Sequence, residues 1–340
     1  MQKYWRIIFF YSAAHLFVDF ACAFLMFRSI AKTPDWHLCI LLYNFCAFAL
    51  QMPLGIIADR ANRNFLFAAT GCVLVAAAYG FRGIPVMAVV IAGLGNAMFH
   101  IGGGVDILNI SKEKSGALGL FVSPGAFGVY FGTIAGKGGG LTAFPVILTL
   151  AMSALLIFAI HRTQEKYPEN AEFSLDTPNP SRLLAAALCL FFVVCLRSYV
   201  GLTLHFPWKS TGSWGMVLVC AVVLGKTFGG FAADRFGAKG TVVVSLGIAA
   251  LLFLFPQIPL AGVMSVLLFN MTMPVTLWVM AKSFPGAKGF SFGLLTFALF
   301  LGFLPVYLGF GINSPLLPAT IAAISLALLL VGLRKAGIRK

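Results

Sequence analysis

The stretch Gly55-Ile56-Ile57-Ala58-Asp59-Arg60-Ala61-Asn62-Arg63 closes one long apolar run and precedes another. The pattern returns as Gly230-Phe231-Ala232-Ala233-Asp234-Arg235-Phe236-Gly237-Ala238-Lys239. Glycine, aspartate, arginine and a second cation thus recur after about 175 residues, half the chain. A polar signature at the mouth of two apolar runs, repeated at that interval, predicts two similar halves.

Composition sets the solvent. Hydrophobic residues make up 60% of the 340 positions, charged residues only 10%, and mean hydropathy is +0.96. Soluble domains carry about 25% charge, so the chain reads as a polytopic membrane protein whose first partner is the lipid bilayer. The net charge of +14 does not indicate nucleic acid, because the cations sit singly or in small clusters at the ends of apolar segments, where they report topology. The seven cysteines, Cys22, Cys39, Cys46, Cys72, Cys189, Cys195 and Cys220, all lie in apolar segments without zinc-type spacing. They are expected to be packing residues, without disulfides. The first apolar run carries His15 and Asp19 and no clear small-residue cleavage site, so it is expected to remain as a span.

A membrane-crossing helix needs about 20 apolar residues. Twelve segments qualify, near 7–28, 36–57, 65–80, 85–109, 116–136, 140–160, 183–204, 213–233, 240–255, 260–281, 289–310 and 315–333. The third and ninth are short. One substantial polar linker, 161–182, holds four of the ten acidic residues and three prolines. The expected organisation is a six-helix bundle over 1–160, the linker, and a second six-helix bundle over 183–340.

Orientation follows from Lys and Arg. With the N-terminus inside, seventeen fall on the inner side: Lys3, Arg6, Arg60, Arg63, Lys112, Lys114, Arg162, Lys166, Arg182, Arg235, Lys239, Lys282, Lys288, Arg334, Lys335, Arg339 and Lys340. Five fall outside: Arg28, Lys32, Arg82, Lys137 and Lys209. The bias places both termini, the linker and both repeated loops in the cytoplasm, and with them the Asn109-Ile110-Ser111 sequon. Twelve spans in a 6+6 repeat predict an all-α transporter whose halves move around a midplane site.

The duplicated Gly-x-x-x-Asp-Arg loop, between spans two and three and again between eight and nine, resembles the signature of the major facilitator superfamily. Asn62 stands where that signature prefers glycine; Gly237 keeps it. Further stretches narrow the likeness: His15-Leu16-Phe17-Val18-Asp19 in span one, Gly93-Leu94-Gly95-Asn96-Ala97-Met98-Phe99-His100 in span four, and the glycines Gly119, Gly125 and Gly128 of span five. Together they are similar to the fosmidomycin-resistance branch. Where that branch follows the histidine with proline and an acidic residue, this chain has Ile101-Gly102-Gly103-Gly104 and then Asp106. The resemblance implies the major facilitator fold, two pseudo-symmetric six-helix bundles, and proton-driven export of small, often anionic, compounds across the bacterial inner membrane.

A charge at the bilayer centre costs about 2.5–3.5 kcal/mol on insertion scales, so intramembrane ionisable groups are few and informative. His15 and Asp19 share a helical face at spacing four. With His100, at similar depth, they are the expected proton-coupling group. Asp106 lies nearer the cytoplasm, with Lys112 or Arg60 as its expected partner. Arg197 and Lys226 are the intramembrane cations, and Lys226 aligns with Gln51 across the repeat. Arg197 suits a bidentate grip on an anionic substrate, Lys226 a point charge, and Gln51 and Asn96 further hydrogen bonds. The simpler reading of the cations is a salt bridge to Asp19. Gly55, Asp59, Arg60, Gly230, Asp234 and Arg235 form the expected gate, each aspartate latching one state by charge and helix-dipole contact. Ser123, Pro124, Gly302 and Pro305 mark flexing helices. Gly136-Lys137-Gly138-Gly139-Gly140 reads as an outer turn, not a phosphate loop.

The function expected is proton-coupled efflux of a small anionic or amphipathic organic compound by alternating access, driven by the proton gradient without a cofactor, in a monomer. Proton-coupled uptake uses the same residues. A divalent-metal transporter is a third reading, with His15, Asp19 and His100 as ligands of a transported ion. An intramembrane enzyme would need a nucleophile–base pair or metal triad that is not legible, and no nucleotide-binding loop is present.

Overall fold

The computed structural model describes residues 4–112, 114–163, 168–176, 179–312 and 314–338. Lys3, Lys166, Arg339 and Lys340, four of the orientation cations, lie outside the described residues. Among the described residues the chain is all helix and connecting turn. Eleven helices are long and apolar enough to cross a membrane: α1 Trp5–Ile30, α2 Trp36–Ala61, α3 Asn64–Phe81, α4 Pro85–Ser111, α5 Gly116–Gly138, α6 Ala143–Thr163, α7 Pro180–Thr203, α8 Trp214–Phe236, α10 Pro259–Ser283, α11 Lys288–Tyr307 and α12 Leu317–Lys335. Between α8 and α10 runs a shorter apolar helix, α9, Ala238–Leu252, of 15 residues. This is a multi-pass membrane protein.

Local chemistry accounts for the ends and breaks. α2 stops at Asn62, in the left-handed region at φ 48°, and α8 stops at Gly237, at φ 84°. Asparagine tolerates that region because its short side chain bonds locally, so the residue that departs from the signature still ends the helix. α5 breaks at Ser123, ahead of Pro124, and α10 breaks at Met271. α1 ends in a π-helical turn, Met26–Ile30, and α2 contains another, Phe45–Ala49. Neither π turn has a composition that marks it in advance.

The chain divides into two compact units. The first comprises Met1–Ile110, Pro124–Phe173 and Gly286–Gly293; the second comprises Ser111–Ser123, Ser174–Pro285 and Leu294–Lys340. In the first, α1 packs along the Pro124–Gly138 part of α5 and against α6, and α3 packs on α6. In the second, α8 packs on the first part of α5 and on α10, and α12 joins α7 and α9.

The α1–α5 seam is built from glycine. A Cβ on Gly128 would strike Leu16 O, and one on Gly132 would strike Phe20 O. On Gly136 it would come within 3.0 Å of Phe24 O. Backbones therefore meet directly, as small residues permit between membrane helices. This corrects the reading of 136–140 as a turn: α5 continues through Gly138 with Gly136 buried in the seam, and the chain turns only at Gly139, φ 79°.

Candidate functional site

In the first unit α1 and α4 bring His15, Asp19, Asn96 and His100 together. His15 Nε2 lies 3.2 Å from Asp19 Oδ2 and 2.9 Å from His100 Nε2. His100 Nε2 is 3.7 Å from Asp19 Oδ1. Asn96 Nδ2 donates to Asp19 Oδ1 at 3.0 Å, and the Asn96 carbonyl accepts from His100 Nδ1 at 2.8 Å. The two imidazoles meet edge to face, at 87°. On the open side stands Gly125 of α5, where a Cβ would collide with His15 Nε2 and Asp19 Oδ2. Glycine is what lets α5 close over the cluster.

Hydrogen accounting shows what the cluster can do. A carbonyl oxygen only accepts, so His100 Nδ1 carries a hydrogen. In the neutral ring His100 Nε2 then holds a lone pair, and the 2.9 Å contact needs a hydrogen on His15 Nε2. That hydrogen sits between His100 Nε2 and Asp19 Oδ2. A further proton on His100 Nε2 would require His15 Nε2 to give up its hydrogen, by a change of tautomer or to Asp19 Oδ2, or the two rings to part. The same three residues offer ligand atoms within 4.8 Å of one another, and the His100 Nδ1 bond to a carbonyl is the outer support that metal-binding histidines use.

Gln51 and Asp106 have other surroundings than expected. Gln51 is fully buried, donates from Nε2 to Ala47 O at 2.6 Å, and leaves Oε1 without a partner. Its backbone carbonyl lies under Gly293 of α11. Asp106 is fully buried and accepts from Tyr11 Oη at 2.8 Å and Asn64 Nδ2 at 2.9 Å. Arg60, one of its expected partners, instead stacks on the Phe173 ring at 4.6 Å.

In the second unit Arg197 of α7 is only 9% exposed. Its Nη2 donates to Thr272 Oγ1 at 2.5 Å, and its Nε has no hydrogen-bond partner. Thr272 sits just past the break in α10 and passes its own hydrogen to Phe269 O at 3.2 Å. Lys226 of α8 donates to Val122 O at 3.3 Å, beside the break in α5. A buried guanidinium with unused donor capacity can receive an anion, since leaving a buried donor unpaired is costly.

The repeated aspartates do the same thing in both units. Asp59, 4% exposed, accepts from the amides of Gly289 at 2.7 Å and Phe290 at 2.9 Å, at the start of α11. Asp234 accepts from the amides of Ser115 at 2.6 Å and Gly116 at 3.0 Å, at the start of α5, and from Ser115 Oγ at 3.1 Å. The repeated glycines allow the approach. A Cβ on Gly55 would strike the Gly289 carbonyl, and one on Gly230 would come within 2.7 Å of Ser115 O. Helix-start amides, rather than arginines, hold both carboxylates: Arg60 and Arg235 are exposed and lie over Phe173 and Phe236.

Sequence reading missed the receiving partners, Ser115-Gly116 and Gly289-Phe290. A signal existed: a glycine opens the fifth and the eleventh apolar run, near the interval of the aspartate repeat. It also missed Thr272, Tyr11, Asn64 and Asn170, polar residues with no motif around them.

No family model matches the chain, and no curated protein matches it in sequence. Solved structures do match. FucP, the fucose:proton symporter of E. coli and a Major Facilitator Superfamily transporter, aligns in two structures with TM-scores of 0.72 and 0.68 at 14% identity, over 96% of this chain and 99% of FucP. The human organic anion transporter MFSD10 aligns with a TM-score of 0.67 at 13% identity, over 96% of this chain and 99% of its own. A bacterial homologue of the iron transporter ferroportin aligns with a TM-score of 0.62 at 14% identity, over 97% and 98%. The chain has the fold of the major facilitator transporters.

Proposed function

We propose that this protein is a proton-coupled secondary active transporter that exports a small anionic or amphipathic organic compound by alternating access. In this reading α9 is a twelfth span, the chain forms two six-helix bundles joined by the 161–182 linker, and both termini face the cytoplasm of a bacterial inner membrane. The protein is a transporter of the fosmidomycin-resistance type, not an enzyme; it acts as a monomer and draws on the proton gradient in place of a cofactor. The observation that carries the reading is the His15–Asp19–His100 cluster, three titratable groups 2.9 to 3.7 Å from one another, close enough for a proton to pass among them. Arg197, with its unpaired Nε, takes the anionic group, helped by Lys226. Asp59 and Asp234 hold one state through helix-start amides and release them in the other.

FucP is named as a proton symporter and MFSD10 as an organic anion transporter, both in keeping with these two halves of the mechanism. Direction is set by the gradients, so uptake of an organic anion uses the same parts. A second reading has its own observation. The converging His15, Asp19 and His100 atoms could carry a divalent cation as substrate, as the iron-transporter homologue suggests.

The test is flux in vesicles under an imposed pH gradient, with a panel of organic anions and with Mn²⁺. Asp19→Asn and His100→Ala are expected to lower gradient-driven anion flux at least tenfold, and Arg197→Ala to raise KM. Flux indifferent to the gradient sinks proton coupling. Saturable Mn²⁺ flux lost in His15→Ala would favour the cation reading.

A further inference from the structure

Asn170 belongs to the polar linker, outside every helix, yet its N–H and both polar side-chain atoms are engaged in the first unit. Its backbone N–H donates to Asn62 Oδ1 at 2.9 Å. Its Nδ2 donates to Ala58 O at 2.9 Å and more weakly, at 3.3 Å, to Asp59 O and Asn64 Oδ1. Its Oδ1 accepts from Asn64 Nδ2 at 2.7 Å and Asn109 Nδ2 at 2.8 Å. Three residues on, Phe173 lies under the Arg60 guanidinium.

The positions matter. The carbonyls of Ala58 and Asp59 belong to the last turn of α2, where helix carbonyls run short of partners; Ala58 O takes the Asn62 N–H at 3.2 Å and has room for a second hydrogen. Asn170 supplies hydrogens there from more than 100 residues away. It therefore fixes the helix end that carries the Asp59 carboxylate. Its other contact, Asn109, presents Oδ1 to Lys288 Nζ at 2.9 Å. Lys288 immediately precedes the two residues whose amides hold Asp59. Two routes thus join the start of α11 to α2 and α4 within this unit: one through Asp59 directly, one through Lys288 and Asn109. Asn170 touches both.

We propose that Asn170 is a positioning residue of the gate, a peg from the linker that sets the Asp59 end of α2 and Asn109 so that the start of α11 can dock. The inference rests on the reading of Asp59 as a gate. With the peg out, α2 loses its end support and Lys288 loses an ordered acceptor, so α11 docks less often. The linker is then a working part of the transport cycle as well as a tether.

Hydrogen–deuterium exchange on the full chain in lipid nanodiscs tests this without a known substrate. First-turn amides have no helical acceptor, so protection of Gly289 and Phe290 reports the Asp59 contact. Asp59→Asn is expected to speed exchange in 286–293 by about tenfold or more, and Asn170→Ala by about three- to tenfold. Asn170→Asp keeps an acceptor for Asn64 and Asn109 but sets a carboxylate oxygen against the Ala58 and Asp59 carbonyls, and should speed exchange at least as much as Asn170→Ala. Acceleration in Asp59→Asn with none in Asn170→Ala overturns the peg and leaves the gate standing. No acceleration in Asp59→Asn overturns the gate itself, and the peg with it. A rise in Asn170→Ala that spreads equally through 85–111 would make Asn170 a general fold residue and also overturn the proposal.

Discussion

At the end of α2, Asp59 takes two amide hydrogens from α11 and is nearly sealed from solvent. At the end of α8, Asp234 takes two from α5, adds the Ser115 hydroxyl, and is only half-buried. Carboxylate and helix start are common to both. What supports them differs: the first copy leans on Asn170, Asn109 and Lys288, the second on Ser115, which also bonds Gly230 O at 2.9 Å. The duplication fixes the charge and its receptor, while each unit supplies its own bracing. The copies should therefore fail by different amounts.

The largest difference should come from the glycines. Gly55→Ala forces a methyl into the Gly289 carbonyl, a backbone atom that cannot swing aside. The methyl of Gly230→Ala meets Ser115 O at 2.7 Å, a milder clash. Overpacking costs about 1–3 kcal/mol, so Gly55→Ala should cut vesicle flux by about a hundredfold and Gly230→Ala by about tenfold. Equal losses would erase the distinction. Next come the carboxylates. Hydrogen bonds to a charged group contribute about 1.5–3 kcal/mol. Asp59→Asn should therefore loosen 286–293 in hydrogen exchange more than Asp234→Asn loosens 115–119, because the Ser115 hydroxyl remains to bond Gly230. Ser115→Ala removes the one hydroxyl hydrogen shared between Gly230 O and Asp234 Oδ1, about 1 kcal/mol, and should speed exchange at 115–119 about fivefold without touching 286–293. The last test is Gly237→Asn, which installs in the second copy the residue the first copy uses. Asn62 is left-handed at φ 48°, ψ 40°, but Gly237 sits at φ 84°, ψ 153°, a region close to glycine-only that costs other residues about 1–3 kcal/mol, so the melting temperature should fall by a few degrees. An unchanged melting temperature would mean that the two helix ends are interchangeable.

Much of this was legible in sequence because hydropathy marks helices that must satisfy their own backbone in lipid. The segment near 85–109 is observed as Pro85–Ser111, and that near 260–281 as Pro259–Ser283. His15, Asp19 and His100 stood out because charge is scarce in apolar runs, and four-residue spacing put the first two on one face. What joins distant segments was not legible. Tyr11 and Asn64 meet Asp106 across 95 and 42 residues, and nothing local to Asp106 distinguishes them from Arg60 or Lys112. Asn170 sits in a linker whose composition announces only solvent. The arginines misled for a physical reason: next to an aspartate in sequence, at a helix end, they point elsewhere and settle on aromatic rings.

The glycine seam between α1 and α5 has a mechanical consequence. Gly125 meets His15 and Asp19 with bare backbone, and Gly128, Gly132 and Gly136 continue that contact toward Phe24. Along Gly128, Gly132 and Gly136 the nearest atoms are backbone and the Cβ atoms of Asp19, Ala23 and Phe27, none of which can swing aside. A displacement of His15 or Asp19 would therefore fall directly on the main chain of α5, beside its break at Ser123. The seam is a push-rod, able to pass a movement at two side chains to a helix by contact alone.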